Sequence, residues 1–282
     1  MPAGSVIAAG HAHSGAVTAG GRLFVWGEGR SGRLGVGPGV PAAPLPTEVV
    51  APGWERGVAQ VACGHAHTVA VTADGACYAW GFGRYGATGS GGDEDALVPQ
   101  RVALRERVAS AACGYYHSAA VTEAGTLYVW GAGDDGQLGT GDREHRLAPT
   151  AMRLGTDTDA PRAVEMVCCG MSHTVAVTRG GELWACGEHD AAEGSEGAGV
   201  ARLVWPVDSS VPVVRAACGF HHTLVLTSSG EVCVMRAAHV CALFMLPALS
   251  PPLAHAHCCS CACEPAHARR VQRTLRKLIS HA

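Results

Sequence analysis

Five histidines each stand beside a serine or threonine: His13-Ser, His67-Thr, His117-Ser, His173-Thr and His222-Thr. Four of them also follow a cysteine by four residues, at Cys63, Cys113, Cys169 and Cys218. A histidine next to a hydroxyl is half of a nucleophile–base pair, and cysteine with histidine is a thiolate pair or a metal-ligand pair. Either chemistry needs a third, orienting group, and no acid keeps register with these histidines. The same phrase, Gly-x-x-His-Ser/Thr followed by an apolar run, occurs five times at spacings of 54, 50, 56 and 49 residues. A group repeated once per unit is most simply structural. The histidines are expected to have their ring nitrogens satisfied by backbone groups, and the cysteines to act as small buried hydrophobes.

The elements that position these residues follow from a second fixed point. Thirteen residues after each histidine stand Trp26, Trp80, Trp130, Cys186 and Met235. A glycine-bearing turn lies between, such as Ala73-Asp-Gly75 or Glu123-Ala-Gly125. Glycine relieves the steric cost of the positive φ that hairpin turns demand. His67-Thr-Val-Ala-Val-Thr72 alternates with period two, Ala76-Cys-Tyr-Ala-Trp80 is its hairpin partner, and Val58–Cys63 supplies a third short strand. The unit is a small antiparallel sheet of three or four strands. It cannot bury both faces alone, so copies must stack, and a period near fifty fits the blades of a β-propeller.

Each tryptophan opens a glycine run: Gly27-Glu-Gly29-Arg-Ser-Gly32, Gly81-Phe-Gly83-Arg-Tyr-Gly86 and Gly131-Ala-Gly133-Asp-Asp-Gly136. The spacing matches a dinucleotide-binding fingerprint, but that motif needs a βαβ unit around it. Here the run follows a hairpin and leads into proline-bearing loops, so the glycines are read as sites of sharp turning. These runs, with Leu-Gly or Thr-Gly after them and Cys-Gly-x-x-His before them, resemble the regulator-of-chromosome-condensation repeat family over about residues 5 to 235. The resemblance implies an all-β, seven-bladed propeller. It also implies guanine-nucleotide exchange on a Ran-like small GTPase as one activity. A propeller fragment of a larger ubiquitin ligase or signalling protein is another reading.

The units are expected near residues 5–58, 59–108, 109–164 and 165–213, with a partial one at 214–235. That is about four and a half blades of seven. The pattern stops at Met235-Arg236, which reads as a truncated or wrongly spliced product; pairing with another open ring and closure with fewer blades are the alternatives. Residues 236–282 form a non-repeat tail with a short helical or irregular structure. It carries His255, His257, Cys258, Cys259, Cys261, Cys263 and His267. Cys258-x-x-Cys261 is a chelating spacing, but all its cysteines crowd into six residues, so no designed metal site is assigned. Ala266–Ala282 then reads as a basic amphipathic helix, with Val271, Leu275, Leu278 and Ile279 on one face.

Net charge is −3, and the five basic residues from Glu264 onward against one acid leave the repeats acidic. Such a body has no electrostatic footprint for nucleic acid and suits a partner with a basic patch. The start lacks a basic n-region and an apolar h-region, so a cytoplasmic or nuclear, non-secreted chain with reduced thiols is expected. No stretch reads as a membrane span, and no cofactor is implied. The function expected is a protein–protein interaction scaffold without catalytic activity of its own. Binding is placed on the loop residues Asp93, Glu94, Asp95, Asp134, Asp135, Asp142, Arg143 and Glu144, with self-association through the open ring as a further contact.

Overall fold

A computed structural model describes residues 7–155, 162–187, 199–205, 211–236 and 239–246, the last eight through their backbone. These residues fold into five antiparallel sheets of four strands, each a simple meander. The first blade comprises β1 (Ile7–Ala9), β2 (His13–Val17), β3 (Leu23–Glu28) and β4 (Ala42–Val49). The second comprises β5 (Val58–Cys63), β6 (His67–Thr72), β7 (Cys77–Gly81) and β8 (Ala96–Arg101). The third comprises β9 (Val108–Cys113), β10 (His117–Thr122), β11 (Leu127–Gly131) and β12 (Arg146–Ala151). The fourth comprises β13 (Val164–Cys169), β14 (His173–Thr178), β15 (Leu183–Gly187) and β16 (Arg202–Trp205). The fifth comprises β17 (Val213–Cys218), β18 (His222–Thr227), β19 (Val232–Arg236) and β20 (His239–Leu246).

The core lies between blades rather than within them. Val69 and Val71 of β6 pack toward Val108, Ala111 and Trp130 of the third blade, while the intervening Ala70 packs toward the first blade with Val25 and Val61. Alternate residues of one strand therefore enter two different cores, and every residue of β6, β10 and β14 is buried. The first strands of neighbouring blades lie against one another at the axis. There, backbone bonds run from His11 N–H to the Gly64 carbonyl (3.2 Å) and from His65 N–H to the Gly114 carbonyl (3.2 Å).

Two expectations change. The proline-bearing segments after the glycine runs are strands: β4 holds Pro44 and Pro46, β8 holds Pro99, and β12 holds Pro149. Each is the outer edge of its sheet, where a missing N–H costs no ladder bond. The fifth unit also does not end at Met235. Met235 pairs with Thr223 in β18, as Trp80 pairs with Thr68 and Trp130 with Ser118, and β20 adds a fourth strand beyond it. The repeat motif stops there, but the hairpin register does not. The Cys/His cluster at 255–267 and the basic segment 266–282 lie outside the described residues.

Candidate docking face

The repeat histidines form a series of clasps between blades. His13 Nε2 lies 2.8 Å from Thr68 Oγ1, His67 Nε2 2.9 Å from Ser118 Oγ, His117 Nε2 2.9 Å from Thr174 Oγ1, and His173 Nε2 3.1 Å from Thr223 Oγ1. In three clasps the hydroxyl donates its one proton to a backbone carbonyl of the preceding blade: Thr68 to Arg33 (2.7 Å), Ser118 to Ala87 (3.0 Å) and Thr174 to Gln137 (2.7 Å). The hydroxyl can then only accept from the ring, which fixes the Nε2–H tautomer. The indole N–H groups of Trp80 and Trp130 donate to the same Arg33 and Ala87 carbonyls, at 3.0 and 3.1 Å.

Each ring thus pairs with the hydroxyl that follows the next histidine, and for His13, His67 and His117 the backbone of that next histidine contributes as well. This arrangement removes the nucleophile–base reading of those three clasps. The imidazole donates to the hydroxyl, and the hydroxyl proton is committed elsewhere. Burial, the largest cause, holds His13 down at about 3, His67 at about 4 and His117 at about 3, so each ring is neutral at physiological pH. His222 is exposed, and Trp26 of the first blade is only half-buried.

The two variable positions in Gly-x-x-His point to one face near the axis. The His65 ring stacks on Tyr115 (centroids 3.8 Å apart) and lies 4.6 Å from His11. Tyr115 meets Tyr116 at 4.5 Å and Phe220 at 5.9 Å, and Tyr116 meets Phe82 at 5.1 Å and Tyr85 at 5.6 Å. Burial leads the causes that depress His65, helped by the neighbouring His11 ring and the Arg33 guanidinium. Tyr85 holds φ +62, which costs a non-glycine residue energy and turns its ring toward Tyr116 and His145. Phe220 is 49% exposed, a large apolar surface for a solvent-facing ring.

The loops between third and fourth strands open on this same face. Phe82 N–H bonds the Ala66 carbonyl and Ala132 N–H the Tyr116 carbonyl, both at 2.9 Å. These loops carry every expected binding residue. Asp95 Oδ1 accepts from Gly83 N–H (2.9 Å), and Asp142 accepts from Arg146 (2.6 Å), so both are turned into their own loops. Burial opposes ionisation of Asp142, but bonds from Arg146, the Glu144 amide and Thr140 outweigh it and hold its pKa down. Asp93, Glu94, Asp134, Asp135, Arg143 and Glu144 are exposed. Asp134 approaches His145 (3.4 Å), which in turn packs on Tyr85 (4.8 Å), so acid and aromatic surface are continuous in the third blade. Sequence reasoning missed the rings; the signal was that His11, His65, Tyr115, Tyr116, Phe220 and His221 all occupy the two variable positions of one phrase.

Residues 4–236 match the sequence model of the RCC1-like domain. The chain belongs to the RCC1-like domain family. It is 41% identical to the ultraviolet-B receptor UVR8 of Arabidopsis thaliana over 97 residues, which is 34% of this chain and 22% of that one. It is equally 41% identical over 98 residues to the human E3 ubiquitin-protein ligase HERC2, of which it covers 2%. The chain thus spans a small part of the length of these curated relatives. Among solved structures, human WBSCR16 superposes with a TM-score of 0.74 at 25% identity, covering 86% of this chain and 67% of that one. Prp20p of Saccharomyces cerevisiae, described with its binding properties to Gsp1p and histones, gives 0.67 at 22% identity over 82% of this chain and 56% of its own. That likeness is one of fold.

Among the described residues, no group of three or more histidine, cysteine, aspartate or glutamate side chains is placed to hold a metal ion. No described helix is long and apolar enough to cross a membrane.

Proposed function

We propose that this RCC1-like domain is a protein-interaction scaffold that takes a basic, Lys/Arg-bearing partner on the face where the Gly-x-x-His loops and the acidic loops meet. The observation that carries this reading is the continuity of exposed carboxylates with an aromatic ladder, from Asp134 through His145, Tyr85 and Tyr116 to Tyr115. Rings supply contact area and cation–π attraction, and carboxylates supply steering.

The test compares partners captured by the full chain with those captured by two variants, D134N/D135N and Y115A/Y116A. Both variants should lose the same partner, by roughly tenfold in affinity, and the acid variant should lose salt dependence as well. A partner that binds all three chains equally would move the docking site elsewhere. Should the partner be a Ran-type GTPase, release of its bound guanine nucleotide is the discriminating measurement. Acceleration would make the domain an exchange factor rather than a passive scaffold.

A further inference from the structure

Four cysteines precede the repeat glycine, and the residue before each is Ala62, Ala112, Cys168 or Ala217. The single cysteine among those preceding residues matters because of what lies across the blade boundary. Cys113 Sγ faces the Ala62 carbonyl of the preceding blade at 3.5 Å. At the equivalent boundary, Cys218 of β17 faces residue 168 of β13, and there a sulfur stands in the way: the two Sγ atoms are 3.0 Å apart. A disulfide bond is about 2.05 Å long, so roughly 1 Å of closure separates the thiols from a bond. Both residues are half-buried, as the innermost strands of blades four and five leave them.

We propose that Cys168 and Cys218 are an oxidation site, joined by hydrogen peroxide into a disulfide that ties blade four to blade five. Cys218 is the attacking sulfur. Its environment sets it apart from the other repeat cysteines: Thr223 Oγ1 lies 3.6 Å away, and that hydroxyl bonds His173. Burial works against ionisation, but hydrogen bonding with Cys168 and Thr223 and the neighbouring His173 outweigh it and draw the Cys218 thiol below its ordinary value, while the Cys168 thiol is raised. At Cys63 burial pushes the thiol up to about 12, and at Cys113 and Cys169 it is also raised, which keeps them protonated and unreactive.

The chemistry balances in two steps. The Cys218 thiolate attacks one peroxide oxygen, the O–O bond breaks, and the departing hydroxide takes a proton to become water, leaving Cys218 as a sulfenic acid. The Cys168 sulfur then loses its proton and attacks Cys218 Sγ, the S–O bond breaks, and the hydroxyl leaves as a second water. Two thiols and one peroxide give one disulfide and two waters.

The reduced full chain is exposed to a small excess of hydrogen peroxide, alkylated and digested, and linked peptides are mapped by fragmentation. A link between residues 168 and 218 should form, with Cys218 reacting about tenfold or more faster than Cys63, Cys113 or Cys169. Cys169→Ser should keep the link. Cys168→Ser should lose it and leave a sulfenic acid on Cys218 that dimedone traps. Absence of the link in the wild-type chain, or a link through Cys169 instead, would overturn the proposal without relying on any variant to fold.

Discussion

Each clasp makes one hydroxyl serve two blades, and the consequences are felt at single residues. Replacing Thr68 with Val keeps the volume but removes the hydroxyl partner of the buried His13 Nε2–H. An orphaned buried donor costs about 1–3 kcal/mol, so the urea midpoint should fall by a corresponding amount with the m-value unchanged. A midpoint equal to wild type would mean that the clasp carries no net energy. The histidines also set an acid limit. Their folded pKa values lie near 3 to 4, below the unfolded value near 6.5, so the unfolded chain binds more protons across that window. Stability is therefore complete above about pH 6.5 and drains as pH falls, by roughly 1.4 kcal/mol per pH unit for each histidine. Urea midpoints measured between pH 7.5 and 5 should drop steeply, and His67→Gln should reduce the proton uptake on unfolding by about one. A flat profile over that range would contradict the buried neutral rings.

At the scale of the strand and loop, the glycine runs place backbone where side chains will not fit. Gly35 sits at φ +69, and a Cβ there would lie 2.5 Å from Trp80 Nε1, in the indole that donates to the Arg33 carbonyl. Gly39 also has positive φ (+79), yet nothing lies within 4 Å of its would-be Cβ. Gly39→Ala should cost about 1 kcal/mol for backbone conformation alone, whereas Gly35→Ala should add about 1–3 kcal/mol of overpacking. Thermal denaturation of the two variants separates those terms; equal losses would show that Trp80 shifts freely. The hairpins were legible because a turn glycine and two alternating strands sit within fifteen residues of one another. The fourth strands were not, since Pro44, Pro46, Pro99 and Pro149 argue against a strand until the sheet edge is known.

For the molecule as a stack, stability is a sum of blade and boundary terms, and the boundaries are unequal. In β14 every residue is buried, while in the equivalent β18 His222 and Leu224 are exposed. Blade five therefore depends on what it gains from blade four, including the His173–Thr223 clasp. Thr223→Val should accelerate hydrogen exchange in β17 to β19 and leave β6, β7, β10 and β11 slow, as measured by mass spectrometry. Uniform acceleration across all five blades would show that the stack unfolds as one unit.

The sequence by itself determined the period, the hairpin register and the family, because a thirteen-residue spacing and a turn glycine act within one short stretch of backbone. Even Met235, where the motif is lost, keeps the register of Trp80 and Trp130. Only the tertiary structure decided what each histidine bonds, which rings meet at the axis and which two of many cysteines touch. Those partners lie about fifty residues apart in the chain. They become neighbours through the stacking of whole sheets, a distance that no local backbone preference can encode.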